Sequence, residues 1–254
     1  MHKVFVILRK EFSEIVQQRI LLFSILLPPL LFAVLPLFFL LRGGTGSRTS
    51  SLAIPSLEGL TLHEYTQGVV GTLFSNVYIL LPMIVPSIIA AFSIIGEKNN
   101  RTLEPLLATP VRRWQLLTGK ILSALLPAVI VTWISGGLFI TELAIFTDAH
   151  VVSHVVTAGW LTLFIACTPL LGLIAVAIMT AISSRVNDTR TAQQLSIWGV
   201  VPVLGLILGE LSGQFELTVL VAVIATGILI PIAILLTWGA AQLFQRETIL
   251  TRWK

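Results

Sequence analysis

Long apolar runs without charged residues dominate this chain and restrict what it can become. About 20 helical residues rising ~1.5 Å each cross a ~30 Å hydrocarbon core, and inside lipid every backbone polar group must be satisfied internally. Such runs therefore read as membrane-spanning helices. The first is ILLFSILLPPLLFAVLPLFFLL, at 20–41. It is too long for the core of a secretory signal, and no small-residue cleavage motif precedes RGGTGS, so it reads as a retained span. Five more spans are expected at 65–95, 111–146, 155–182, 191–209 and 217–245. Composition agrees: 11% of residues are charged, against about 25% in a soluble domain.

The fifth run contains Pro202 and is barely long enough to cross, so charge has to arbitrate. With six spans and a cytoplasmic N-terminus, the inner segments hold 14 of the 16 Lys and Arg residues, leaving Arg42 and Arg48 outside. Five spans would put Arg246, Arg252 and Lys254 on the outer side, against the positive-inside rule. The expectation is an all-α membrane protein: six transmembrane helices, an N-terminal amphipathic interfacial helix over 1–19, and a short cytoplasmic helix after the second span. The whole of 1–254 reads as one transmembrane domain in the cell membrane, with both termini cytoplasmic. The formal charge of +4 belongs to this inner-side bias and points to anionic lipid, not to nucleic acid.

Val4, Leu8, Phe12, Ile15 and Val16 fall on one stripe of the N-terminal helix. That pattern suits a helix on the membrane surface, as a plain anchor or as a contact for a partner. Thr147–His154 and Glu210–Glu216 read as short external turns, and Arg42–Glu64 as a loop too small for a folded domain. Cys167 lies within the fourth span, so no intrachain disulfide is possible and a buried apolar role is expected.

Between the second and third spans stands a dense polar island, GEKNNRTLEPLLATPVRRWQLLTGK. Gly96 is expected to stop the second span, and Thr102 to cap a short helix whose first turn accepts Pro105. Leu103, Leu106 and Leu107 then share one face, beside Glu97, Lys98, Arg101 and Glu104. Arg112, Arg113 and Lys120 are expected to snorkel to headgroups as the chain re-enters the bilayer. A rigid knob of this kind suits docking into another protein, while a helix that merely turns the chain fits the pattern equally well.

EKNNRTLEPLLATPVRRWQLLTGKIL resembles the signature region of membrane subunits of type 2 ATP-binding-cassette transporters. The matching residues are Glu97, Lys98, Thr102, Leu103, Glu104, Leu106, Leu107, Thr109, Pro110, Val111, Gly119 and Lys120; Asn99 and Arg101 depart from the pattern. The resemblance extends to RKEFSEIVQQRILLFSILLPPLL and to the six-span plan. It implies an exporter permease that pairs with a second copy or a paralogue and rests on two ATP-binding-cassette ATPase subunits. Its ATPase-facing residues would be Glu97, Lys98, Arg101, Thr102, Leu103, Glu104, Pro105, Leu106 and Leu107, forming a coupling helix. The resemblance also implies short re-entrant helices after the fifth span.

No phosphate-binding loop ending in Gly-Lys-Ser or Gly-Lys-Thr occurs, because Gly119 and Lys120 are followed by Ile121. ATP and Mg are therefore expected on the partner ATPase, with no cofactor, metal or catalytic residue on this chain. His63 with Glu64, and the pair His150 and His154, lie on different loops and make a poor metal set. Glu142 reads as an interfacial, solvated carboxylate, and Asn76, Tyr78, Ser87 and Ser93 as groups that hydrogen-bond neighbouring helices. The spans offer no convergent nucleophile, base or metal ligands, which argues against an intramembrane enzyme. An ATP-independent channel or carrier, or a membrane scaffold subunit, is the alternative reading.

Overall fold

A computed structural model describes residues 2–42, 57, 60–99, 113–186 and 188–243 of the 254-residue chain. The elements are α1 (His2–Gln17), α2 (Arg19–Arg42), α3 (Leu62–Asn99), α4 (Arg113–Phe146), α5 (Ala149–Val155) and α6 (Ala158–Ser183), followed by α7 (Thr189–Ser196), a 3-10 turn (Ile197–Gly199), α8 (Val201–Leu211) and α9 (Val219–Leu243). No strand occurs among the described residues. Among the described residues five helices, α2, α3, α4, α6 and α9, are long and apolar enough to cross a membrane.

The fifth apolar run is not one straight rod. α7 with its 3-10 turn and α8 meet at 42°, so the sixth crossing exists only if this bent pair is counted as one span. Pro202 near the start of α8 has no N–H to donate into the preceding turn, which favours a fresh helix start there. Two other expectations also change. α3 runs through Gly96 to Asn99 instead of stopping at the glycine, and the turn at 147–154 contains the short helix α5.

Helix ends are fixed by local chemistry. Thr61 and Glu64 form a capping box on α3: the Thr61 N–H donates to Glu64 Oε2 at 2.8 Å, and the Glu64 N–H donates to Thr61 Oγ1 at 3.4 Å. Thr157 caps α6 and Asp188 caps α7. α8 ends in a Schellman motif, with the Gly213 N–H on Glu210 O at 2.9 Å and the Gln214 N–H on Gly209 O at 3.0 Å. Gly213 has φ 72°, in the left-handed region that favours glycine.

The centre of the bundle is α3, which packs against α2, α4 and α6, while α9 leans mainly on α6. Among membrane helices apolar burial supplies little drive, so close packing and interhelical hydrogen bonds decide the arrangement. Pro36 lies inside α2 and has no N–H, which deprives the Phe32 carbonyl of its usual helical donor. The buried Tyr78 hydroxyl of α3 donates to that carbonyl at 3.0 Å. Ser135 of α4 donates to Pro29 O at 2.8 Å, and Trp160 Nε1 of α6 donates to Ser75 O of α3 at 3.0 Å. The Tyr78 ring packs on Phe139 at 4.8 Å, and Trp160 stacks on Phe164 at 5.1 Å. Tyr78 thus does bond a neighbouring helix, whereas Asn76 and Ser87 donate to carbonyls of their own helix.

Tyr78→Phe strands the Phe32 carbonyl and is expected to cost about 1–2 kcal/mol. A lowered thermal unfolding midpoint of the detergent-solubilised protein checks this.

Candidate functional site: a buried ion cluster joining α1, α3 and α4

Residues 100–112 connect α3 to α4, and the described residues at both ends of that connection meet in one cluster. Lys120, about two turns into α4, and Glu97, near the end of α3, form an ion pair at 2.7 Å. α1 completes the site. Lys120 Nζ also donates to Glu11 Oε1 at 3.0 Å and to Ser93 Oγ at 2.9 Å. The Ser93 hydroxyl donates to the other Glu11 oxygen at 2.7 Å. Lys10 lies over the outer side, 3.1 Å from both Glu97 and Glu14.

Glu11, Glu97 and Lys120 are nearly inaccessible, with side-chain exposures of 3%, 8% and 5%. Desolvating three charges is costly, and it is tolerated where geometry is good and the remaining donors and acceptors are satisfied. Burial by itself pushes the Glu11 carboxyl up, but the Lys120 ammonium and the Ser93 hydroxyl outweigh it and hold the pKa below 4.5. Burial likewise opposes the charge on Lys10, yet Glu97 and then Glu11 hold it above its ordinary 10.5.

Close helix contact makes the cluster possible. A Cβ built on Gly119 would meet Ile7 Cγ2 at 2.7 Å, so the absent side chain lets α1 settle against α4. That approach delivers Glu11, one turn from Ile7, to Lys120. Ile15 continues the same face of α1 into an apolar core with Leu21, Ile89, Leu116 and Ile121.

Several expectations are revised. The face of α1 that packs on the bundle carries Glu11, while Phe12 and Val16 of the predicted stripe are about half exposed. Lys120 does not snorkel; it is enclosed by carboxylates. Glu97 is turned inward onto Lys120, and Lys98 donates to the carbonyl of Val186, just past the end of α6, at 3.3 Å. Arg101, Thr102, Leu103, Glu104, Pro105, Leu106 and Leu107 lie outside the described residues. Glu142 is not fully solvated, since its Oε2 is buried without a hydrogen-bond partner. α5 brings His150 within 3.9 Å of Glu64, but no group of three metal-ligating side chains forms among the described residues. Reading the residues alone missed Glu11. The signal was available: Val4, Leu8, Glu11 and Ile15 follow helical spacing, with a carboxylate in an apolar stripe.

Residues 5–226 match the family described as ABC-2 family transporter protein. The chain belongs to that family. This ABC-2 permease is also 34% identical over 131 residues to the probable ABC transporter permease protein NosY of Pseudomonas aeruginosa. The match covers 51% of the permease and 46% of that relative, so the permease spans about half the length of the curated relative it matches. The family places the permease as the membrane subunit of an ABC transporter, in keeping with its multiple apolar helices.

Lys120→Met leaves two carboxylates buried without their cation, a loss of about 3–5 kcal/mol. Amide hydrogen exchange in residues 2–17 is expected to accelerate at least about a hundredfold as α1 detaches. Glu11 adds a pH dependence with a definite sign. Because its folded pKa lies below 4.5, its stabilisation is present above that value and fades as pH falls through the folded pKa. The protection factor of the α1 amides, measured from pH 6 downward, should fall below about pH 4.5, and less so in Glu11→Gln.

Proposed function

We propose that this permease is the membrane-spanning subunit of an ATP-driven exporter, and that residues 100–112 carry a coupling helix seated on separate ATPase subunits. The observation that carries this reading is the buried cluster at the base of that segment. Glu97 and Lys120 join its two ends, and Lys10 and Glu11 tie α1 to the same point. A force applied to 100–112 would therefore move α1, α3 and α4 together. A flexible turn would need no such brace.

In this scheme Arg101, Thr102, Leu103, Glu104, Pro105, Leu106 and Leu107 meet the ATPase. Glu97 and Lys98 act behind them as positioning residues. ATP and Mg are bound by the ATPase subunits, and the permease has no ATPase site of its own. A second permease copy or a paralogue completes the translocation path in the cell membrane, with both termini cytoplasmic. The placement of 14 basic residues on the inner segments supports that orientation.

Co-purification with a candidate ATP-binding-cassette ATPase tests the proposal. Glu104→Lys and Leu106→Asp are expected to cost about 2 kcal/mol or more of association, a loss of roughly thirtyfold, while membrane insertion is retained. Lys120→Met should preserve most of the association and lose the permease-dependent stimulation of ATP turnover. Undiminished association and turnover in all three variants would reduce the segment to a surface turn and favour a channel, carrier or scaffold.

A further inference from the structure

Away from the ion cluster, α3, α6, α8 and α9 border an apolar cavity of about 430 Å³. Ile79, Leu171, Leu206 and Ile228 are among its walls, and Asn76 and Glu210 bring the amide and the carboxyl. Asn76 is 2% exposed. Its nitrogen donates to Thr72 O at 3.0 Å, but its Oδ1 is buried without a partner. An acceptor left bare in an apolar setting is costly unless a ligand supplies a donor.

Glu210 accepts a hydrogen bond from the Asn76 side chain and also lines a second cavity of about 540 Å³, with Glu216, Ser75 and Thr157 in its wall. The two spaces share Glu210, Phe215 and Leu217, so a polar pocket with two carboxylates adjoins an apolar slot. The Schellman motif fixes the position of Glu210, since its carbonyl holds Gly213. Among the described residues no Lys or Arg lines either cavity, and His154 stands in the wall of the polar one.

We infer that this pair of cavities binds a lipophilic primary amine, with its ammonium between the Glu210 carboxylate and Asn76 Oδ1 and its apolar body in the slot between α8 and α9. Carboxylate and amide oxygen supply the acceptors that an ammonium requires, and the slot removes the hydrocarbon portion from water. The amine belongs either to the ethanolamine headgroup of a membrane lipid or to a free amphipathic compound. Binding at this site does not depend on the ATPase coupling proposed above.

The test uses the full-length permease in phosphatidylcholine nanodiscs and monodansylcadaverine as a fluorescent amine probe, with its N-acetylated neutral form for comparison. Saturable binding of the amine is expected, with the neutral form at least about tenfold weaker because a charge-assisted contact is lost. Glu210→Gln and Asn76→Ala should each weaken the amine by a similar factor. Leu206→Trp, which fills the slot without touching the polar pair, should weaken both probes. Elution profile and thermal midpoint show that each variant is folded. Equal affinity for the two probes, or unchanged affinity in folded Glu210→Gln and Asn76→Ala, would overturn the assignment. Competition by nanodiscs containing phosphatidylethanolamine identifies the lipid amine as the occupant, and no competition identifies a free amine. Co-purification with the ATPase should be unaffected in these variants, which separates failure here from failure of the coupling scheme.

Discussion

The ammonium of Lys120 holds this end of the permease together. It donates to Glu11 and Ser93 and pairs with Glu97, residues that belong to two other helices. Each contact alone would be an ordinary polar interaction. Together, in a site closed to solvent, they specify one arrangement, because displacing any member leaves a buried charge with fewer partners. Gly119 beside Lys120 supplies the steric half of the same device, allowing α1 to come close enough for the charges to meet.

Elsewhere, the bundle handles its polar groups in a different way. Proline inside a helix frees a carbonyl, and here α2 has its Phe32 carbonyl recaptured by Tyr78 from α3. Thr, Ser and Asn side chains along the spans mostly return their donors to the preceding turn of their own helix, as Thr180 and Thr141 do. The packing between α2, α3 and α4 is thereby directed by a few long-range hydrogen bonds set among apolar contacts. Along α9, where Thr226 meets the Cys167 thiol of α6 at 3.4 Å, packing is confined largely to that one neighbour.

Most of the architecture was legible from residue order. Apolar length located α2, α3, α4, α6 and α9 to within a few residues, because lipid thickness leaves little choice of helix length. The bend between α7 and α8 was visible only as a weakness, in Pro202 and a short run, since its angle depends on packing against α3 and α6. The site was less legible for a specific reason. A charged residue near a membrane face reads by default as solvated, and nothing local to Lys120 or Glu97 announces that α1 will cover them. Those partners lie 109 and 23 positions away from Lys120, at Glu11 and Glu97 respectively, so the pairing is a tertiary fact.

That separation bears on how the permease is made. α1 leaves the ribosome before α4, with Glu11 in the face that later becomes its packed side. Until α4 has been synthesised and inserted, no Lys120 exists to receive that carboxylate, and an unpaired charge keeps the helix in contact with water. α1 thus emerges before α4 but docks only after it. Seating of α1 reports that α3 and α4 have reached their places, and a chain whose fourth helix fails to insert leaves α1 as an exposed amphipathic helix, the kind of surface that membrane quality control can recognise.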